Sequence, residues 1–228
     1  IANPTHDLFY SWTFGDAGAG NWANGVQSAG LTSKNAAFGP VTGHVFETPG
    51  TYVVNLIVMD GANTVTKSVS ITVQDPNTVY AGANTICISH SGNFAGAPGG
   101  ALLVNTAGNT DMYAALNGIA TKNNKRILFC KADAWACSAQ NTFTGISGMT
   151  ISGYGTGAAR AAVFGASASD TLVDVTPAAI GGSVFNFNAG NSDIRIHNFK
   201  INGNAAAKAV GLNNSISAIL FSKVELRG

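Results

Sequence analysis

The sequence predicts an all-β protein in two parts, a run of antiparallel strands followed by stacked strands that recur at a fixed period. Three observations lead there. Residues Val184 to Gly203 (VFNFNAGNSDIRIHNFKING) lie over Ala209 to Gly228 (AVGLNNSISAILFSKVELRG) at an offset of 25 without a gap. Phe185 and Phe187 fall on Val210 and Leu212, Ile194 and Ile196 on Ile219 and Phe221, and Phe199 and Ile201 on Val224 and Leu226. Each copy holds three apolar-x-apolar segments, the alternation of a strand with one buried face. Three such strands per period describe one coil of a parallel β-helix. An antiparallel meander would show the same alternation, but six apolar positions in register without a slip favour stacking. The second observation is composition: 10% charged residues and 28 glycines suit many tight turns and a weakly charged surface, and 46% apolar content keeps the chain out of the disordered class. The third is alternation near the N-terminus, where Tyr52, Val54, Leu56 and Val58 are followed by Val65, Val69, Ile71 and Val73.

These quantities also exclude functions. A formal charge of +1 leaves no electrostatic footprint for nucleic acid or an anionic membrane. No apolar run approaches the ~18 residues of a membrane-spanning helix. The opening IANPTHDLFY has neither the basic start nor the apolar core of a signal peptide and lacks an initiator Met. A removed leader, or a longer parent chain, is therefore expected. Cys130 and Cys137 would close a short loop in an oxidising compartment and leave Cys87 free; equally, all three are buried thiols. No Cys/His spacing points to zinc.

In chain order, the first strand is Leu8 to Asp16 (LFYSWTFGD). Thr42 to Asp60 (TGHVFETPGTYVVNLIVMD) and Thr64 to Val73 (TVTKSVSITV) follow, with turns at Pro49-Gly50 and Asp60-Gly61. Trp12-Thr13-Phe14-Gly15-Asp16, His44-Val45-Phe46 and Pro49-Gly50-Thr51-Tyr52 occur in the order that marks PKD (polycystic kidney disease) domains. Residues 5–75 resemble that family, which implies an immunoglobulin-like β-sandwich of a kind common in extracellular proteins. Two features depart from it: Thr13 replaces the usual Asp, and Ala17 to Pro40 is a long Gly/Asn/Ala-rich insertion. Only about seven residues precede the first strand, so the sandwich, residues 1–75, is expected to be cut at its start and completed by upstream sequence or a partner. Trp12 and Phe14 are expected in the core, Asp16 and Asp60 at turns, and His44 as a hydrogen-bonded strand residue. Some relatives bind Ca²⁺ through acidic and amide side chains. No dense cluster of oxygen ligands stands here, so no cofactor is expected, with Ca²⁺ at Asp16 the alternative left open.

Residues 76–84 read as a linker. Residues 85–228 then read as the first rungs of the β-helix, continuing past the last residue. Short strands are expected at Thr85 to Ser89 and Leu102 to Val104, separated by a Gly/Ala/Pro loop. The one amphipathic helix, Asp111 to Ala120, places Met112, Ala115, Leu116 and Ile119 on one side, with Asn109 or Thr110 as N-cap. It suits a cap over the open end of the stack. After it Ile127 and Phe129 lead Met149 and Ile151 by a step of 22, close to the later period. Helix, RILF, TISGYGTG and stacked rungs, in that order, resemble the N-terminal part of pectate-lyase-like right-handed β-helix proteins. That superfamily includes polysaccharide lyases, glycoside hydrolases and phage tailspikes.

The same offset pairs outward residues across rungs: Lys200 with Glu225, His197 with Ser222, Asn202 with Arg227 and Asn188 with Asn213. A hydrolase needs two carboxylates facing one bond. The acids after Asp75 include no Asp-Asp or Asp-x-Asp, and Asp170 and Asp174 flank a strand rather than converge. Arg195, His197 and Lys200 form the most polar patch on the repeat, either part of a binding cleft or a solvated face. Trp22 and Tyr154 stand in Gly-rich stretches, where each either stacks on a sugar or packs its own loop. The expected function is that of an extracellular, cell-surface or virion-associated protein for adhesion, assembly or polysaccharide binding. Its partners would be a polysaccharide or cell-surface glycan, or further copies in an oligomer, filament or virion. The alternatives are a pectate-lyase-like lyase or hydrolase with its active residues beyond Gly228, and a phage tail spike or fibre component.

Overall fold

The computed structural model describes residues 8–22, 32–157, 172–178, 181–202, 208–213 and 216–227. The chain divides into two compact units, residues 1–79 and 80–228.

In the first unit, β1 (Phe9–Thr13), β2 (Ala36–Phe38), β3 (Gly50–Met59) and β4 (Thr64–Val73) form one antiparallel sheet in the order β2-β1-β3-β4. The β3–β4 hairpin is continuous from Gly50↔Val73 to Met59↔Thr64. Its turn is closed by Asp60, whose Oδ1 accepts the N–H groups of Ala62 (3.0 Å) and Asn63 (2.7 Å), as an Asx turn requires. Strand register puts Tyr10, Trp12, Tyr52, Val54, Leu56, Val58, Val65, Val69 and Ile71 on one face, as their alternation predicts. Among the described residues this sheet is the only one in the unit. An irregular segment, 40–48, packs on it through an aromatic row. Phe14 stacks on His44 (4.4 Å between centroids), His44 meets Phe46 edge-on (4.6 Å), and Phe46 stacks on Tyr52 (4.3 Å).

Three expectations change here. His44 lies in the irregular segment, not in a strand. Asp16 is buried, and its carboxylate pairs with His44 instead of capping the turn. The insertion between Ala17 and Pro40 is not merely a loop. It contains β2, which extends the sheet beyond β1, and an Asn21↔Ser33 bridge narrows its neck.

The expected linker is partly structured. Residues Pro76–Val79 (α1) form one helical turn, and buried Tyr80 belongs to the second unit. The Tyr80 O–H donates to Gly148 O (3.1 Å), and its carbonyl accepts Thr85 Oγ1–H (2.7 Å).

The second unit contains β5 (Thr85–Ser89), β6 (Leu102–Asn105), α2 (Met112–Asn117), β7 (Arg126–Cys130), β8 (Ala134–Cys137) and β9 (Asn141–Phe143). Then follow β10 (Thr150–Tyr154), β11 (Val173–Pro177), β12 (Ser183–Phe187), β13 (Ser192–Asn202), β14 (Lys208–Leu212) and β15 (Ser217–Arg227). Among the described residues every strand pairing in this unit is parallel. The chain lays β10, β11 and β12 in register against β7, β8 and β9. It then lays β13 against both β10 and β11, β14 against β12, and β15 against β13, giving a curled set of parallel sheets. The offset read from the repeat holds from Ser192↔Ser217 to Asn202↔Arg227 and from Ser183↔Lys208 to Phe187↔Leu212. Earlier turns of the chain differ in length: Ile127 faces Ile151 rather than Met149, and Ile151 faces Ile196.

Like stacks on like inside. Ile86, Ile127, Ile151, Ile196 and Phe221 form one ladder. Trp135, Val175 and Ile201 form a second, and Phe143 stacks on Phe187 at 5.1 Å in a third. Buried side chains of this size contribute about 1.5–3 kcal/mol each. Helix α2 closes one part of this core with Met112 and Leu116, both buried. It is shorter than its apolar periodicity predicts, and its N-cap is Asp111, whose Oδ1 accepts Tyr113 N–H at 3.1 Å. All three cysteines are free and buried, and burial pushes the Cys87 and Cys137 thiols up to about 11.

Candidate functional site

A hollow among the described residues lies in the first unit, between the turn after β1 and the irregular segment 40–48. It encloses about 460 Å³, within the range of small-molecule sites. Its wall carries Asp16, Trp22, Lys34, His44, Glu47 and Thr48. The floor is fixed: Asp16 Oδ2 and His44 Nε2 share a hydrogen bond at 3.0 Å, both side chains less than a tenth exposed. Asp16 N–H donates to Asn35 Oδ1 at 2.7 Å, tying this turn to the chain entering β2. Trp22 is held by its own backbone N–H to Thr32 O (2.9 Å), and Lys34 N–H donates to Gly20 O (3.0 Å). These two bonds bring the Lys34 ammonium over the indole, 5.8 Å from the ring centroid. Trp22 is 43% exposed; Trp12, by contrast, donates its Nε1–H to Gly39 O at 2.8 Å, and Trp135 is 2% exposed.

In the second unit Arg195, His197 and Lys200 sit on β13 between inward-facing Ile194, Ile196, Phe199 and Ile201, so they share its outward side. Arg195 is ion-paired with Asp193 (2.5 Å) and reaches the Tyr80 hydroxyl (3.4 Å). His197 Nδ1 lies 3.4 Å from Ser222 Oγ, and Lys200 is in register with Glu225 on one side and Asp174 on the other. Asn213 Nδ2 donates to Asn188 Oδ1 at 3.2 Å, the ladder that the repeat predicts. Positive φ at Asn198 lets the strand turn between its two halves.

Tyr154 follows the packing alternative of the two that its sequence context offers. It lies in β10, only 4% exposed, with its O–H donated to Asn93 O at 2.9 Å. It packs with Cys87, Leu128, Cys130 and Phe94 under the Gly-rich loop after β5, so its ring is not available to a sugar. Burial, above all, also pushes its phenol well above the ordinary range. Asp170 lies outside the described residues.

Sequence reading missed one polar cluster. Asp133 Oδ2 accepts Ser89 Oγ–H (2.8 Å) and His90 N–H (2.9 Å), and Oδ1 accepts Ser91 Oγ–H (2.6 Å). Ser, His and Asp meet here, yet the geometry is not that of a triad. His90 Nε2 lies against Ala134 O (3.2 Å), and the serines bond the carboxylate directly. The cluster instead pins the loop after β5 to the turn between β7 and β8. Burial pushes the Asp133 carboxyl up, but the bonds from Ser91, Ser89 and His90 outweigh it and leave it below the usual carboxylate range. Only the Ser89–His90–Ser91 run signals the cluster in sequence; Asp133 follows far along the chain, beyond β6, α2 and β7.

A sheet-built module with a partly polar hollow is the class that the first unit defines. Residues 2–73 match the PKD domain family, in agreement with the Trp12–Asp16, His44–Phe46 and Pro49–Tyr52 motifs. No curated protein and no solved structure matches the chain.

Proposed function

We propose that the chain is part of an extracellular or surface-associated modular β protein that binds polysaccharide. In this reading residues 1–79 are a PKD-type sandwich module, and residues 80–228 are coils of a right-handed parallel β-helix. The observation that carries it is the constant register of β13 on β15, which sets the outward residues of the two strands side by side in rows. Arg195, His197 and Lys200 stand in those rows beside Leu220, Ser222 and Glu225, spaced by the roughly 4.8 Å strand separation. An extended polymer laid along such a surface meets a repeated set of donors and acceptors. Trp22 supplies an aromatic contact in the other unit. The match to an adhesion- and binding-type module supports the same reading.

The test is cosedimentation of the whole chain with insoluble polysaccharides and with intact cells. Binding is expected, and a combined R195Q/H197Q/K200Q variant is expected to lose about tenfold in affinity, roughly 1.4 kcal/mol. No retention on any surface, with the chain folded, would overturn the reading.

A second reading, polysaccharide cleavage, has one observation in its favour. Asp174, Lys200 and Glu225 occupy neighbouring positions on β11, β13 and β15, a base between two acids in the register. Release of reducing ends or unsaturated product from polysaccharides, abolished by K200Q or E225Q, would establish it.

A further inference from the structure

We propose that the hollow of the first unit is a saccharide subsite that takes a neutral sugar residue rather than an acidic one. This rests on the polysaccharide-binding reading above and adds a place and a chemical class to it. Trp22 is the side chain that marks this hollow. Of the three tryptophans it alone has no indole N–H bond in the described contacts and is substantially exposed, and it stands in the wall of a cavity. The Lys34 ammonium lies over one face of this ring, 5.8 Å from its centroid; exposed ring surface is covered at a gain by the C–H face of a pyranose, which leaves the sugar hydroxyls free to bond around it.

The charges around the ring decide which sugar. Asp16 and His44 are committed to each other at the floor. Lys34 and Glu47 are not paired: neither has an ion-pair partner among the described residues. The Glu47 backbone is nonetheless held, because Phe46 stacks on Tyr52 and the Thr48 carbonyl accepts the Tyr52 hydroxyl at 2.6 Å. One ammonium and one free carboxylate therefore face the same hollow. A ligand carboxylate or sulfate would gain Lys34 but meet Glu47 and Asp16. A cationic ligand would meet Lys34. A neutral polyol satisfies both, with hydroxyls donating to Glu47 and accepting from Lys34.

The experiment titrates the whole chain with hexasaccharides of neutral sugars (cellohexaose, maltohexaose, mannohexaose, xylohexaose) and with hexagalacturonate, by calorimetry and tryptophan fluorescence. At least one neutral hexasaccharide is expected to bind and shift the emission, with an affinity that salt leaves unchanged. W22A is expected to weaken binding by about tenfold or more, and E47Q, an exposed change that leaves folding intact, by several-fold. If hexagalacturonate binds instead, weakens with salt and is lost in K34Q, the neutral assignment fails while polysaccharide binding stands. If neutral saccharides bind W22A and E47Q as well as the parent, the hollow is not the site, though the reading again stands. If no saccharide binds and the chain is retained on no polysaccharide, both fall together.

Discussion

Gly15 sits at φ +68°, and a Cβ there would lie 2.6 Å from the Val53 carbonyl oxygen. Both facts follow from the turn that brings Asp16 down to His44, so the motif glycine is required by close backbone approach as well as by conformation. Gly15→Ala is expected to cost about 2–4 kcal/mol, read as a lowered denaturation midpoint. Asp133 is the other residue on which much depends. Its carboxyl lies below the ordinary range, so the stability it confers is fully present above the unfolded carboxylate pKa of about 4 and is lost as pH falls through the lower folded value. Urea unfolding of Asp133→Asn should therefore show a shallower loss of stability in acid than the parent, with a cost near pH 7 of about 2–3 kcal/mol. The thiols give a third expectation. With Cys87, Cys130 and Cys137 buried, and two of them pushed up to about 11, iodoacetamide at pH 8 should leave the native chain unmodified. After denaturation it should label all three; prompt native labelling would contradict the described packing.

At the scale of the element, β13 shows how the repeat works. Its inward residues Ile194, Ile196, Phe199 and Ile201 are buried, with Ile196 between Ile151 and Phe221 in the ladder. The turn before β13 depends on Asn191, which is 1% exposed. It accepts Ile146 N–H (2.9 Å) and donates to Phe143 O (2.9 Å) and Asn188 O (2.6 Å). Asn191→Leu preserves bulk but leaves those backbone groups unpaired, so it should destabilise as much as Asn191→Ala. Equal stability of Asn191→Leu and the parent would show that the bonds contribute nothing. Helix α2 teaches a different lesson. Apolar spacing alone extends it to Ala120, and Ala115 and Ile119 do pack on the core, yet the helix ends at Asn117 with Gly118 as its C-cap.

Across the whole molecule, two kinds of sheet meet different demands. The antiparallel sheet of the first unit leaves Val65 and Val69 of its edge strand β4 each 56% exposed. The parallel sheets of the second unit place β7, β10 and β13 between neighbours on both sides. Amide hydrogen exchange should accordingly be slowest in β7, β10 and the first half of β13, and much faster in β4. Comparable protection in β4 would mean that its exposed face is covered in the native protein.

The sequence by itself determined the strand pairs whose partners are recorded in a repeat. Phe185 with Val210, Ile196 with Phe221, Lys200 with Glu225 and Asn188 with Asn213 were all legible, because stacking puts residues of equal phase in contact. It also determined the Asp60 turn and the PKD-type motifs. Tertiary structure alone decided contacts between residues with no shared period. The step from Ile127 to Ile151 depends on loop length, which is under no stacking constraint. The burial of Tyr154 depends on a glycine-rich loop folding back over it. The hollow around Trp22 joins residues from Asp16 to Thr48, brought together by β2 pairing with β1 and by one Asp16–His44 bond. Such sites escape linear reading because their geometry is set by the strands that carry the loops, not by any spacing within the loops themselves.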